Sequence, residues 1–146
     1  FLKNRNNSFS PLYGTNHRHN GYMDYFYVGG RYENGVGLQD LYLLTKYDLN
    51  TKTFVSLNAH YFTTQAQVTN TLGEKLAKDL GVELDATVGY VYSDAISLQA
   101  GYSQLFAQDT FKYIQGVTNA RDTQNWAYLM VVYRPTSKNK FIGLKF

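Results

Sequence analysis

Polar and apolar residues alternate with a period of two along much of the chain. From Gly81 to Tyr92 one set of positions holds Val82, Leu84, Ala86, Val88, Tyr90 and Tyr92, and the other holds Gly81, Glu83, Asp85, Thr87, Gly89 and Val91. Successive side chains of a strand point to opposite faces, so this spacing predicts a strand with one apolar and one mostly polar face. Asp40 to Leu49 follows the same rule, with Leu41, Leu43, Thr45, Tyr47 and Leu49 opposing Asp40, Tyr42, Leu44, Lys46 and Asp48. Two further runs are Thr53 to Thr64, with Val55, Leu57, Ala59 and Tyr61 together, and Ile96 to Phe106, with Ile96, Leu98, Ala100 and Tyr102 together. The apolar faces of these four runs carry no charge, as burial in protein or lipid demands. A fifth run, Asn125 to Arg134, is apolar on both sides, and its facing cannot be read from the pattern.

The connections alternate in length. Asn50-Thr51-Lys52 and Ser93-Asp94-Ala95 are tight turns, whereas Gln65 to Asp79 and Ala107 to Gln124 are long and polar. Strand pairs therefore repeat, and Ser56-Leu57-Asn58-Ala59-His60-Tyr61 in one upward strand matches Ser97-Leu98-Gln99-Ala100-Gly101-Tyr102 in the next. Short turns at one end and long loops at the other are the habit of outer-membrane barrels. Tyr47, Tyr90 and Tyr92 fall beside the tight turns, Tyr61 and Tyr102 lie on the same face toward the long loops, and aliphatics fill the middle. That is a girdle, band and girdle, since a tyrosine ring and hydroxyl suit the membrane–water boundary. The runs also match the ~9–11 residues that cross a tilted bilayer, against ~5–6 in soluble sheets. Within the first long loop, residues 72 to 80 are expected to hold a helical turn or two, with Leu76 and Leu80 at i, i+4.

The expected fold is all-β, an antiparallel transmembrane β-barrel. About five strands cannot close one, since the smallest have about 8, and open edges are forbidden in lipid. The chain is therefore expected to be the C-terminal part of a larger barrel: residues 1–134 in the barrel domain, with 1–37 a loop or constriction segment and 38–134 the strand hairpins, and 135–146 a basic tail. Pro135 would end the last strand; the alternative last strand is Phe141 to Phe146.

Composition sharpens this. With no Cys among 146 residues, disulfide scaffolds and Cys-based metal sites are excluded. No apolar run approaches the ~20 residues of a spanning helix. The net charge of +3 equals the contribution of Lys138, Lys140 and Lys145 in the tail, so the rest is balanced. The aromatics lie apart from clustered basic residues, which argues against nucleic acid as a partner.

The stretch Pro11-Leu12-Tyr13-Gly14-Thr15-Asn16-His17, continuing to Gly21-Tyr22-Met23-Asp24-Tyr25-Phe26-Tyr27-Val28-Gly29, resembles outer-membrane porins of Bacteroidetes-type bacteria grouped with the alginate-export family. Asn58-Ala59-His60-Tyr61-Phe62, Gly101-Tyr102-Ser103-Gln104-Leu105-Phe106-Ala107 and Asn125-Trp126-Ala127-Tyr128 resemble its later strands. The resemblance implies a monomeric barrel of roughly 16–18 strands, passing small solutes or saccharides through the outer membrane by passive diffusion. Its partners would be outer-membrane lipid, the solute and the barrel-assembly machinery. A lumen for an anionic polymer should be lined by Arg and Lys. Here the inferred lumen face is acidic, so either other strands hold a basic wall or the cargo is not alginate.

The candidate pore-lining residues are Asp40, Lys46, Asp48, Asn58, His60, Glu83, Asp85 and Gln99. The segment from Tyr13 to Tyr32 is a candidate constriction, with Arg18, Tyr22, Asp24, Tyr25 and Arg31 as saccharide contacts. No catalytic, metal or cofactor residues are expected. Ser56, His60 and Asp85 lack a demonstrated nucleophile–base contact, and His17 and His19 lack a third ligand. The competing reading is a soluble secreted β-protein that binds carbohydrate through Tyr-rich loops.

Overall fold

The computed structural model describes residues 17–26 and 36–135. It is all-β, with one antiparallel sheet of five strands in the order β1-β2-β3-β4-β5. The strands are β1 (Leu38–Asn50), β2 (Thr53–Thr64), β3 (Asp79–Val91), β4 (Ile96–Ala107) and β5 (Thr123–Tyr133); α1 (Asp109–Ile114) is the only helix among the described residues. The sheet is a meander and is not closed: β1 and β5 are its edges. The tail after Pro135 and the candidate contact Arg31 lie outside the described residues.

Each hairpin joins strands by the chemistry of its turn. Asn50 Oδ1 accepts from the Lys52 N–H at 2.8 Å, closing the β1–β2 turn as an Asx turn. At the β3–β4 turn the Tyr92 and Ser93 N–H groups both donate to the Ile96 carbonyl. Cross-strand register carries each face from one strand to the next. Leu57 opposes Thr45 on one side and Ala86 on the other, while Asn58 opposes Leu44 and Asp85. The sheet accordingly has one continuous apolar face and one continuous polar face.

The two faces are buried in the opposite sense to a soluble sheet. In β2, Phe54, Ser56, Asn58, His60, Phe62 and Thr64 are buried, and Leu57 and Tyr61 between them are exposed. The same alternation runs through β3 and β4, where Glu83, Asp85, Thr87, Ser97, Gln99 and Ser103 are buried and Leu84, Val88, Tyr90 and Tyr102 are exposed. β5 takes its facing from its neighbour. Trp126 pairs with Ser103 and Tyr128 with Gly101 on the polar face, which leaves Leu129, Val131 and Tyr133 exposed on the apolar one.

The expected helical turn in 72–80 does not form. Asn70 Oδ1 accepts from the N–H groups of Leu72 and Glu74 at 3.0 and 2.9 Å, folding the segment into a small hairpin closed by a Thr69–Lys75 bridge. A side chain that offers its own backbone this alternative competes with helix. The helix lies instead in the second long loop, and Thr110 Oγ1 ties it to the first through the Ala77 carbonyl at 2.7 Å.

At the long-loop end, a bulge changes what the polar face carries. Phe62 pairs with Gly81 and Thr63 with Asp79, so Leu80 is the extra residue. Simple alternation would put Leu80 beside Val82 on the apolar face; the bulge re-aims it to the other side, where it is 2% exposed. Gly81 makes this possible, with φ +131° and a hypothetical Cβ only 2.2 Å from the Phe106 carbonyl oxygen. Leu80 joins Phe26, Phe62, Leu105, Ala107 and Phe111 in the hydrophobic cluster of the fold.

Candidate functional site

Part of the polar face is covered by residues 17–26, a segment that first folds on itself. The His17 N–H donates to Asp24 Oδ1 at 2.8 Å, and His17 Nδ1 donates to the Tyr22 carbonyl at 2.6 Å while lying 3.0 Å from Asp24 Oδ2. Closing so small a ring requires left-handed backbone at His17, Asn20, Gly21 and Asp24. Apart from the glycine, these are residue types that tolerate it better than most.

The closed segment then docks on β2, β3 and β5. Tyr22 inserts its ring into the sheet's polar face, where it is 2% exposed and its hydroxyl accepts from Asn58 Nδ2 at 3.1 Å. Burial pushes the Tyr22 phenol up to about 12. The Met23 N–H donates to Glu83 Oε1 at 2.8 Å. Phe26 packs on Phe62 with ring centroids 4.3 Å apart, and the His17 ring stacks on Trp126 at 4.3 Å, nearly parallel. The Tyr25 hydroxyl donates to the side-chain oxygen of Gln124. Burial, and secondarily the charge of Glu83, also raises the Tyr25 phenol.

Beneath this cover the sheet places an acidic cluster around one imidazole. His60, 5% exposed, lies with Nδ1 3.0 Å from Asp40 and Nε2 3.9 Å from Asp85. Glu83 pairs with His60 across β2–β3, and Asp85 with Asn58. Toward the tight turns, Gln99 Nε2 donates to the Tyr128 hydroxyl. Lys46 lies 3.6 Å from Asp48 and 4.5 Å above the Phe54 ring.

All eight candidate pore-lining residues thus share the polar face, but in two environments. Asn58, His60, Glu83, Asp85 and Gln99 are buried, Asp40 is half-buried, and Lys46 and Asp48 are exposed. Of the segment's candidates, Tyr22 is buried, Asp24 and Tyr25 are half-buried and Arg18 is exposed. Both nitrogens of His60 face carboxylates, and the buried Ser56 hydroxyl has no hydrogen-bond partner among the described residues. No Ser–His contact is assembled among the described residues. Among the described residues no three His, Asp or Glu side chains form a group that could hold a metal ion.

Sequence reasoning passed over His17 as a stacking partner, and it left Trp126, Tyr128 and Phe111 without a role at this site. The facing of Trp126 and Tyr128 follows once β5 is registered against β4, a signal that no single-strand pattern contains. No protein-family model, curated protein or solved structure matches the chain.

Proposed function

We propose that this chain forms part of the wall of an outer-membrane β-barrel porin, through which small solutes or saccharides pass by passive diffusion. One observation carries the reading: the inverted burial of the two sheet faces. Leu41 is 75% exposed, Leu57 65% and Leu129 76%, in a band free of charge, while Glu83 is wholly buried on the opposite face. In water this arrangement leaves a large apolar surface uncovered, which soluble monomers avoid. In lipid it is the required one, and the exposed Tyr47, Tyr90, Tyr92 and Tyr133 at the tight-turn end, with Tyr61, Tyr102 and Phe106 toward the other, supply the two girdles.

The unpaired edges of β1 and β5 support a wall that continues into further strands, because each exposed backbone group in lipid costs several kcal/mol. A soluble carbohydrate-binding β-protein would put its aliphatic face inside, and the burial pattern runs against it. Residues 17–26 then sit inside the barrel as an inward-folded outer loop, and solutes pass between that loop and the remaining wall.

The test is reconstitution. The protein should require detergent, show heat-modifiable gel mobility, and make liposomes permeable to small neutral solutes. A protein that stays monomeric in water without detergent and leaves liposomes sealed would sink the proposal. The residues quoted above resemble the alginate-export porins, and the cargo is left to flux measurement.

A further inference from the structure

Among the described residues the polar face carries two sets of charges, and an ion on that side can touch only one of them. Lys46 and Asp48 are exposed and lie 3.6 Å apart, so they balance each other, and Arg18 is exposed on the inserted segment. Asp40 is half-buried against His60. Glu83 and Asp85, the two carboxylates at the middle of β3, are 0% and 2% exposed. Alternation puts all the strand residues on one face and makes that arc acidic, but burial takes two of its acids out of reach.

The segment 17–26 provides the cover. A Cβ on Gly21 would strike both oxygens of Glu83, and the Met23 N–H donates to one of them at 2.8 Å. Tyr22 lies close to Asp85: besides burial, the charge of that carboxylate raises the phenol. Yet the seat is incomplete. Glu83 Oε2 and both oxygens of Asp85 lack a hydrogen-bond donor, and the hydroxyl of Ser103, wholly buried opposite Asp85, has no partner. Burying ionised oxygens without donors is costly, and water admitted by lifting the segment would supply them. The segment can lift as one piece, since His17 and Asp24 close it internally.

We infer that residues 17–26 set the charge selectivity of this part of the wall: seated, they withhold Glu83 and Asp85 from the lumen, and unseated, they present monovalent cations with both carboxylates. Side chains of one sign draw the opposite ion into a pore. The two acids lie two residues apart on one face, with no Lys or Arg opposite either. Glu83 pairs with His60 and Leu105, and Asp85 with Asn58 and Ser103. His60, the one titratable base paired with them, is shared with Asp40. Unseating therefore adds negative charge to the lumen surface that no cross-strand Lys or Arg cancels. The inference rests on the porin reading, because selectivity has meaning only in a conducting wall.

Two measurements test it. Carbodiimide with glycinamide modifies carboxyl groups that solvent reaches, and peptide mass spectrometry locates them. In the detergent-solubilised protein Asp48 should be labelled while Glu83 and Asp85 are spared. Gly21→Ala, which forces a methyl into the Glu83 carboxylate, should open both to labelling, and Tyr22→Ala, which removes the inserted ring without that clash, should do the same. Gly73→Ala, whose added methyl meets nothing within 4 Å, should leave them protected. The second measurement is the reversal potential in planar bilayers under a KCl gradient, with the dilute side at about 1 M, where charges act over only ~3 Å. Each unseating variant should shift it toward the potassium potential. Adding Glu83→Gln and Asp85→Asn to Gly21→Ala should cancel the shift, and the same pair without Gly21→Ala should leave the potential where it was.

Labelling of Glu83 and Asp85 as fast as Asp48 in the unaltered protein would overturn the inference, because the segment would then shield nothing. Protection that persists in both unseating variants would overturn it too, since something else would be the cover. So would a reversal potential that stays put while both acids are labelled, or a shift that survives the loss of both carboxylates. None of these outcomes touches the porin reading, which fails only if the protein never conducts, whatever its labelling pattern.

Discussion

Gly21 lies against the carboxylate of Glu83 so closely that a Cβ on Gly21 would sit 2.6 Å from Glu83 Cδ, Oε1 and Oε2. The contact joins positions far apart in sequence, and the neighbouring Met23 N–H reaches the same carboxylate. The inserted segment is thus seated by a carboxylate rising from the middle of the sheet.

Gly21→Ala should therefore unseat the segment. The substitution meets both the steric contact and a φ of +82°, together worth about 1–3 kcal/mol. The expected outcome is faster amide exchange at Met23 and altered Trp126 fluorescence. Gly73→Ala is the matched control: its φ is +83° but nothing lies within 4 Å of the added methyl. It should leave both readouts unchanged, and equal effects from the two variants would remove Glu83 from the account.

Tyr22 gives the seating a pH dependence of definite sign. An unseated tyrosine ionises from about 10, and the seated one is pushed up to about 12 by burial. A group whose folded pKa is raised contributes stability that is fully present below its unfolded pKa and lost as pH rises through the folded one. Seating should be constant below pH 10 and weaken from there through about pH 12, followed by Trp126 fluorescence against tyrosinate absorbance. Tyr22→Phe should shrink that alkaline step to the part contributed by the Tyr25 phenol, which burial also raises. It should also cost about 1 kcal/mol, because Asn58 Nδ2 loses its acceptor.

How much of this was legible in the sequence differs by length scale. The alternation of Val82 to Tyr90 and of Val55 to Tyr61 gave strands and faces because both are local, period-two properties. The Leu80 bulge was not legible: it depends on Gly81 meeting the Phe106 carbonyl on another strand. The six residues of α1 are too few to show helical periodicity, and Asn70 diverted the loop where a helix was expected. The candidate polar residues share one face of the sheet, as alternation predicts, but the cover that residues 17–26 put over Asn58 and Glu83 comes from pairs such as Met23–Glu83, which leave no mark on local pattern.

The aromatic and glycine pairs across the polar face make a second coupled unit. Phe54 opposes Gly89, and a Cβ there would lie 2.1 Å from Phe54 Cε1; Tyr128 stands over Gly101 in the same way. Gly89→Ala should destabilise by about 1–3 kcal/mol through overpacking. Phe54→Leu should restore part of that loss by removing the edge of the ring that the methyl strikes. A double-mutant cycle in denaturant should give a coupling of about 0.5–3 kcal/mol, and strict additivity would mean that the strands slide apart without strain.

The strongest separation between lipid and water comes from Leu57. It lies mid-strand in β2, 65% exposed, between Thr45 and Ala86 on the apolar face. If that face meets acyl chains, Leu57→Arg should cost about 2–4 kcal/mol, the penalty for Arg near a bilayer midplane. If it meets water, the same change should fall within about 0.5 kcal/mol, as surface substitutions do. Leu129→Arg on β5 tests the same face three strands away. Thr51→Lys, in an exposed turn, serves as the neutral reference in either solvent. Reversible unfolding in lipid vesicles, read by heat-modifiable mobility, distinguishes these magnitudes. Because β2 has covalently tied neighbours on both sides, the loss should appear as failure of the whole sheet to insert, with both leucine variants migrating as the unfolded form under conditions where Thr51→Lys remains folded.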